Sequence, residues 1–392
     1  MAAVLRVFLF AGCMAIAAAA HAADEGPAKE AQASAASDAK PSLIDADGWL
    51  DMSKFLDTAY GFVPLVVPIT EPAVGYGAAG ALVFIDREGA GQWGERSRPN
   101  IAAVGGLATE NGTSGLFAGH LGTWMGGKLR TLAAIADADV NLEYFGLGGD
   151  RTPGDGGLGY TIAARGGVVG GSYRLGDTPF WIGARYALVQ TRITLDAPGA
   201  GLPGVTASDY DLRLAALTPQ ITFDTRDNFF TPTRGWYVDL SVPVAREALG
   251  SDRDFEKATL TAMHFRPLGE SLFLGVRGAG KASSSGTPFF MRPYVALRGV
   301  AALRYQGEQA AELEAELRWQ VHPRFGVVAF GGAGTARSDA AQVDRDKNVT
   351  TAGAGFRYLI ARTYGLHMGV DVAVGPDDPA IYIVFGNAWL RP

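Results

Sequence analysis

Apolar and polar positions alternate with a period of two in the segment Glu312-Leu-Glu314-Ala-Glu316-Leu-Arg318-Trp319. Charged residues occupy the even positions and apolar residues the odd positions, which is typical of a β-strand with one polar and one apolar face. Ala, Glu and Leu favour helix, but an amphipathic helix needs apolar residues at i, i+3, i+4 and i+7, and they do not recur so here. The pattern predicts a strand whose charges face a wet interior.

The same alternation recurs after Tyr60 in short segments broken by Gly, Pro, Asp and Asn. The second face is small or polar each time, whereas a soluble sandwich uses fewer glycines inside its strands. One apolar face with Trp and Tyr near segment ends is typical of a membrane barrel, and lipid requires the sheet to close. About 330 residues at roughly 20 per strand and connection predict an all-β, transmembrane, antiparallel β-barrel of about 16 strands.

Breaks rich in glycine, proline and charge predict the outer loops at residues 86–100, 150–157, 196–209, 281–293 and 338–348. The first strand is predicted at residues 73–85 and the last at 381–389, so that a seam joins them. Glycine inside a strand loses side-chain packing, and the seam is therefore predicted to be weak. The residues assigned to the seam strands are Gly75, Gly77, Gly80, Phe385, Gly386 and Trp389.

Residues 1–22 have the pattern of a secretory signal peptide, with Arg6, an apolar core and a cleavage site near Ala22. Cys13 is the only cysteine and lies in this segment, so the mature chain is expected to have no disulfide or thiolate metal site. A lipoprotein site at Cys13 would leave too short an apolar core. Residues 23–58 are predicted to be a disordered or periplasmic linker, and residues 59–392 the barrel.

The chain has 40 acidic and 34 basic side chains, a net charge of −6, which does not favour nucleic-acid binding. No later segment has the length of apolar sequence that a membrane helix needs. Asp45 and Asp47 resemble the start of a calcium loop, but Leu56 stands where an acidic ligand is needed. A short amphipathic turn at the periplasmic mouth is the favoured interpretation.

Several motifs of enzymes and cofactor sites are absent or out of context. The run Gly75-Tyr-Gly77-Ala-Ala-Gly80 matches a dinucleotide fingerprint, but prolines precede it and an apolar strand follows, where the fingerprint needs a helix. The histidines lack metal-ligand spacing, and there is no Gly-x-Ser-x-Gly motif. We therefore predict no cofactor, no metal and no enzymatic activity, with a surface lipase built from scattered residues as a minor alternative.

The segment from Phe223 to Trp236 combines a strand end, a polar tight connection and a strand start. Proline and glycine fix its turn, while its acidic and basic residues can bond each other and exposed backbone. These residues are Asp224, Arg226, Asp227, Pro232, Arg234 and Gly235. The segment resembles the hairpin of the bacterial surface-antigen outer-membrane barrels, the family that includes BamA and TamA. The runs Thr70-Glu-Pro-Ala-Val-Gly-Tyr-Gly77, Tyr144-Phe-Gly-Leu-Gly148 and Ile381-Tyr-Ile-Val-Phe-Gly-Asn-Ala-Trp389 extend the resemblance.

The resemblance implies a long late loop that folds into the lumen and carries an aliphatic-Arg-Gly-aromatic motif. Leu297-Arg298-Gly299 matches this motif, and Val300 replaces the aromatic residue. The resemblance also implies that Arg298 contacts acidic groups on nearby strands, and Glu316 in Glu316-x-Arg318 is the expected partner. Gly332 stands where the family has an aspartate, so Arg298 is expected to have fewer acidic partners.

The family relation implies an outer-membrane protein of a Gram-negative bacterium that assists insertion or translocation of proteins, or of lipid, through the seam. Residues 23–60 are too short for the repeated periplasmic domains of BamA and TamA. Expected partners are outer-membrane lipid, unfolded outer-membrane or exported client proteins, and a separate periplasmic chain, with no nucleic acid. The alternative is a non-enzymatic pore or structural barrel plugged by the Arg298 loop.

Overall fold

The computed structural model describes residues 43–53, 61–86, 100–145, 158–196, 211–338, 347–376 and 378–389. The predicted signal peptide, most of the linker and the run after Phe145 lie outside the described residues. In the part that is described, no helix has both the length and the apolar character that crossing a membrane requires.

The described residues form one antiparallel sheet of 17 strand segments. In chain order these are β1 Gly61–Ile69, β2 Gly77–Asp86, β3 Asn100–Thr109, β4 Ser114–Trp124, β5 Leu129–Tyr144, β6 Leu158–Arg174, β7 Phe180–Leu195, β8 Asp211–Asp224, β9 Gly235–Ser241, β10 Val244–Ala245, β11 Phe255–Pro267, β12 Leu272–Ser283, β13 Gln309–His322, β14 Phe325–Arg337, β15 Lys347–Ala361, β16 Leu366–Val374 and β17 Ala380–Phe385.

Each strand pairs with its neighbour in sequence, and β9 and β10 share one position between β8 and β11. The two are separated at Val242 and Pro243, and proline cannot donate a ladder hydrogen bond. The 17 segments therefore fill 16 strand positions. The predicted all-β antiparallel architecture of about 16 strands is confirmed.

The alternation predicted for residues 312–319 is confirmed on β13, where buried and exposed residues strictly alternate. Leu313 and Trp319 point outward and are 57% and 53% exposed, as expected of side chains that face lipid. Glu314 points inward but is only 1% exposed. The inward charges therefore lie in a packed interior, and the expectation of a wet lumen was wrong for them.

The two ends of the sheet differ in their connections. The end of the sheet where β17 finishes and β1 starts is called the turn end. Its connections include residues 125–128, 175–179, 268–271, 323–324 and 362–365. The opposite end is called the loop end, and its connections include residues 145–157, 196–210, 284–308 and 338–346. The connection from β2 to β3 joins strand ends at the turn end, whereas the other four predicted outer loops join strand ends at the loop end, and its own residues 87–99 lie outside the described residues. This difference arises because β1 adds a strand before the predicted first strand.

The interior is filled from the loop end by residues 284–308, which we call the inner loop. Its residues Phe289 and Phe290 are buried in the largest apolar cluster, against the inner faces of β2 to β8. The Phe289 ring meets those of Tyr144 and Tyr160, with centroids 5.3 and 5.6 Å apart. The predicted inward-folded late loop is thus part of the fold, and its other side faces the charged residues of β12 to β16.

Candidate functional site

The inner loop reaches the far wall of the interior at the Leu297-Arg298-Gly299 motif. Gly299 has φ +86°, a conformation that favours glycine, and an added Cβ would lie 3.2 Å from the carbonyl oxygen of Val374. Its backbone N–H donates to the Tyr382 hydroxyl at 2.9 Å. Gly299 therefore lets the loop lie directly against β16 and β17, and so brings the Arg298 side chain among the acidic residues.

Arg298 is surrounded by three carboxylates. Its Nε donates to Glu314 at 2.6 Å, and its Nη1 donates to Glu316 at 2.8 Å and to Asp371 at 2.7 Å. The guanidinium also stacks over the Phe330 ring, 3.5 Å from the centroid. All four charged side chains are less than 10% exposed. The expected Glu316 contact is therefore one of three charge-assisted bonds, which are stronger than neutral ones.

The expectation that Gly332 leaves Arg298 short of acidic partners was wrong. Asp371 on β16 supplies a carboxylate instead, and it also accepts a hydrogen bond from Arg357 at 3.0 Å. In the register of β15 with β16, Gly355 lies opposite Asp371, and an added Cβ there would collide with the carboxylate. The space at Gly332 is taken by Leu297, 2.9 Å from where a Cβ would be.

A second polar anchor of the inner loop was missed by sequence reasoning. Glu312 accepts hydrogen bonds from Arg277 and Lys281 on β12, each at 2.7 Å, and from the backbone N–H of Ala296 at 3.2 Å. Lys281 also donates to the carbonyl of Tyr294 at 2.7 Å. The sequence signal for this anchor lies in the alternation of β12, where Arg277 and Lys281 occupy the same alternate positions as the other buried residues and so point inward.

The predicted hairpin joins β8 to β9 at the turn end. Asp224 accepts two hydrogen bonds at 2.9 Å from Arg226, and the carboxylate of Asp227 accepts backbone N–H groups of Thr233 and Arg234. The Arg234 side chain is 77% exposed, and its Nε lies 3.9 Å from the Asp227 carboxylate.

The hairpin also contacts β13, a strand that does not adjoin β8 or β9 in the sheet. Arg318 donates to the carbonyl of Pro232 at 3.2 Å, and Gly235 begins β9. The hairpin thus connects β8 and β9 to β13 as well as holding its own turn.

Residues 386–389, which follow β17, lie inside the barrel. After Phe385 the chain turns inward at Gly386, and Asn387 donates to the carbonyl of Phe230 in the hairpin at 2.7 Å. Trp389 is 6% exposed, and its Nε1 donates to Glu314 at 3.0 Å. The prediction of a last strand extending to Trp389 was wrong, since the strand stops four residues earlier.

The seam lies between β17 and β1, and the predicted first strand was wrong. Gly77 and Gly80 are on β2, and Gly75 is in the turn before it. Among the residues with described backbone, no strand ladder pairs β17 with β1. The bond found across the seam runs from the Ile383 N–H to the Thr70 hydroxyl at 3.3 Å.

Residues 43–53, which we call the N-terminal segment, dock on the turn end. The side chains of Asp45, Asp47 and Asp51 surround Arg324. The hydrogen bond that Arg324 donates to Asp47 lowers the pKa of Asp47. Burial raises the pKa of Asp51, but bonds from Ser53 and Arg324 outweigh it and leave that pKa lowered. These acids, which resembled a calcium loop, are paired with arginine, and the described residues contain no group of three or more His, Cys, Asp or Glu side chains placed to hold a metal ion.

Comparison with known proteins gives one family match and several similar structures. Residues 182–376 match the model of the Omp85 superfamily domain. The structure of BamA from Haemophilus ducreyi lacking POTRA domains 1-3 aligns with a TM-score of 0.52 and 11% identity, covering 86% of this chain and 78% of that chain. At this identity the likeness shows the fold alone.

CdiB from Escherichia coli aligns with a TM-score of 0.57 and 14% identity, over 84% of this chain and 60% of that chain. CdiB from Acinetobacter baumannii aligns with a TM-score of 0.54 and 10% identity, over 83% of this chain and 59% of that chain. The chain thus spans about three fifths of the length of the two CdiB chains. Comparison with curated protein sequences finds no match.

Proposed function

Because the chain carries an Omp85 superfamily domain at residues 182–376, we propose that it is an outer-membrane barrel that assists the insertion or translocation of proteins. In this proposal the turn end faces the periplasm, since outer-membrane barrels have short periplasmic turns and longer outer loops. Client segments pass at the seam between β1 and β17.

The observation that carries the proposal is the weakness of this seam. β1 pairs with β2 over nine residue pairs and β16 with β17 over six. Across the seam, the described residues form no such ladder, and a hydrogen bond runs from the Ile383 N–H to the Thr70 hydroxyl. A hydrogen bond contributes roughly 0.5–1.5 kcal/mol, so the seam is the least costly place to part the sheet.

The filled interior also supports passage at the seam. The inner loop occupies the space enclosed by the sheet, and two buried ionic anchors hold it there, at Arg298 and at Glu312. Removing a charged side chain from its buried partners is costly. A client strand that enters between β1 and β17 can leave these anchors intact, whereas passage through the lumen would break them.

A disulfide across the seam tests the proposal. We expect Thr70→Cys with Ile383→Cys to form a cross-link, to abolish insertion of a client barrel into liposomes, and to recover on reduction. The matched control is Val370→Cys with Ile383→Cys, which links β16 to β17 at positions already paired in the ladder. Full activity of the oxidised seam variant would refute lateral passage.

The plugged-barrel alternative is favoured by the same filled interior, and conductance separates it from the proposal. A pore blocked by the inner loop should conduct in planar bilayers when Arg298→Ala loosens the loop, whether or not the seam is locked. Depletion of the protein, followed by an inventory of outer-membrane proteins and lipids, tells which class of client is lost.

A further inference from the structure

The N-terminal segment is a small hairpin with two different faces. Ile44 pairs with Leu50 in an isolated antiparallel bridge. Backbone hydrogen bonds lie on either side of this pair, one of them from the Asp51 N–H to the Leu43 carbonyl at 2.8 Å. In a pair of this kind the two side chains lie close together on one face. Successive residues of an extended chain point to opposite faces, so the carboxylates of Asp45 and Asp51 belong to the other face.

The acidic face is the one that docks on the barrel. Arg324, whose side chain is fully buried, donates to Asp47 and Asp51 at 2.6 Å and to Asp45 at 2.8 Å. Arg362 lies 3.5 Å from Asp45. The two arginines thus offset most of the negative charge of the segment, and charge-assisted bonds of this geometry hold the hairpin in one orientation. The other face is therefore turned away from Arg324.

The face turned away from Arg324 is apolar and exposed. The Ile44 side chain is 51% exposed and Leu50, its partner in the bridge, is 39% exposed. The neighbouring residues Trp49 and Leu43 are 43% and 42% exposed. Single exposed apolar residues are common, but a contiguous group marks a surface that contacts protein or membrane.

This apolar surface lies against the outer wall of the barrel at the turn end. The ring of Trp49 meets that of Phe325 edge to face, with centroids 4.7 Å apart, and the Tyr358 hydroxyl donates to the Leu50 carbonyl at 2.6 Å. Phe325 and Tyr358 are opposite each other in the register of β14 with β15. They point outward, since the adjacent Arg357 points inward and is 1% exposed. The segment therefore touches side chains of the lipid-facing wall.

The outward side chains at this place form an aromatic belt. The Phe325 ring lies 5.4 Å from that of Tyr358 and 5.6 Å from that of Phe356, which is 45% exposed. Trp319 on β13 is also outward and 53% exposed. Membrane barrels carry such aromatic girdles where the bilayer meets water. Trp49 continues the girdle onto the segment, so its position favours lipid over a protein partner as the occupant of the apolar face.

We propose that residues 43–53 are an interfacial anchor that lies in the membrane leaflet at the turn end. Ile44, Trp49 and Leu50 enter the boundary between headgroups and acyl chains, while the aspartates are drawn onto Arg324. Amphipathic helices on membranes bury their apolar face about 5–10 Å into this boundary, and the same depth is expected for the hairpin. The anchor holds the chain that precedes β1 at the membrane surface. It depends on the barrel being in a membrane and not on passage at the seam.

Spin labels test the anchor in the purified protein, reconstituted into vesicles of phosphatidylethanolamine and phosphatidylglycerol. Labels at Ile44→Cys and Leu50→Cys are exposed to oxygen, which concentrates among acyl chains, and to a nickel chelate, which stays in water. We expect collisions with oxygen to dominate at both positions. The control is Asp177→Cys, which replaces a 92% exposed side chain in another turn-end connection and should collide mainly with nickel.

Two results of this experiment would overturn the anchor. Nickel collisions at positions 44 and 50 as frequent as at position 177 would mean that the apolar face is in water. Rare collisions with both reagents would mean that protein, and not lipid, covers this face.

A second measurement needs no label on the segment. Vesicles that contain a phospholipid brominated near the headgroup end of its acyl chains quench tryptophans at that depth. The fluorescence that Trp49→Phe removes should be strongly quenched by this lipid. The fluorescence that Trp181→Phe removes should not be, because the Trp181 ring is 6% exposed and stacks on Arg130. Equal, weak quenching of the two contributions would contradict the position of Trp49 in the membrane interface.

Discussion

Arg298→Met should destabilise the barrel more than any change of an exposed arginine. The substitution keeps much of the apolar side-chain stem but removes the guanidinium that bonds Glu314, Glu316 and Asp371. Arg357 still pairs with Asp371 and lies 3.7 Å from Glu316, so those two acids keep a cationic partner. Among the described residues, Glu314 keeps only the hydrogen bond that the Trp389 indole donates to it.

The magnitude follows from these partners. Three charge-assisted bonds at about 1.5–3 kcal/mol each would sum to more than the true loss, because Arg357 compensates and coupled residues are not additive. Breaking a buried ion pair by removing one partner costs about 3–5 kcal/mol. For a barrel of about 330 residues that free energy corresponds to a melting temperature lower by about 4–7 °C.

The assay is the temperature at which the folded barrel loses its faster migration in a detergent gel, or its β-sheet circular dichroism. Arg298→Lys should fall between the wild type and the methionine variant, because lysine keeps the charge but not the planar fork of donors. The matched control is Arg165→Met, which removes a 78% exposed guanidinium 3.5 Å from Asp137. An exposed pair contributes about 1 kcal/mol or less, so equal losses in the two methionine variants would refute the buried network.

Three further predictions concern the other contacts. The folded-state pKa of Asp47 is lowered, so its ionised carboxylate stabilises docking at pH values above the ordinary pKa of 3.8, and this stabilisation is lost as the pH falls below that value. Cleavage of the N-terminal segment by an acid protease should therefore rise below about pH 4 and stay constant from about pH 5 to 8. Gly355→Ala should cost about 1–3 kcal/mol by displacing Asp371, and the loss should shrink in a Gly355→Ala/Asp371→Gly double variant; strict additivity in the melting assay would contradict the collision. Trp389→Phe keeps an aromatic ring but removes the indole N–H that donates to Glu314, and the lost bond is worth about 1–3 kcal/mol. An unchanged melting temperature would contradict the inward position of Trp389.

The fold class could be predicted because period-two patterns survive in single strands such as β13. The resemblance carried by the hairpin and the Arg298 motif is confirmed by the superfamily match, which spans both. The first strand was missed because β1 contains Pro64 and Pro68, and proline in an apolar run argues against a central strand. An edge position beside the seam tolerates both residues, since proline there gives up no interior ladder bond.

The partners of Arg298 could be predicted only in part. Glu316 and Arg318 lie on a strand whose alternation shows which side chains point inward. Asp371 is 73 residues away from Arg298 and belongs to a strand with no acidic motif. Its position depends on the register of β15 with β16 and on the space at Gly355, and neither can be obtained from one strand's pattern.

The Arg298–Asp371 bond also sets an order for folding. The inner loop precedes β13 in the chain, but its arginine gains its third carboxylate only when β16 has paired, and Tyr382 on β17 then accepts the Gly299 N–H. Contacts of such long sequence separation form slowly, because the intervening chain must be ordered first. We therefore expect insertion of the loop to be completed late, so that a barrel lacking its final strands holds the loop less firmly and can be distinguished from a finished one by its sensitivity to protease.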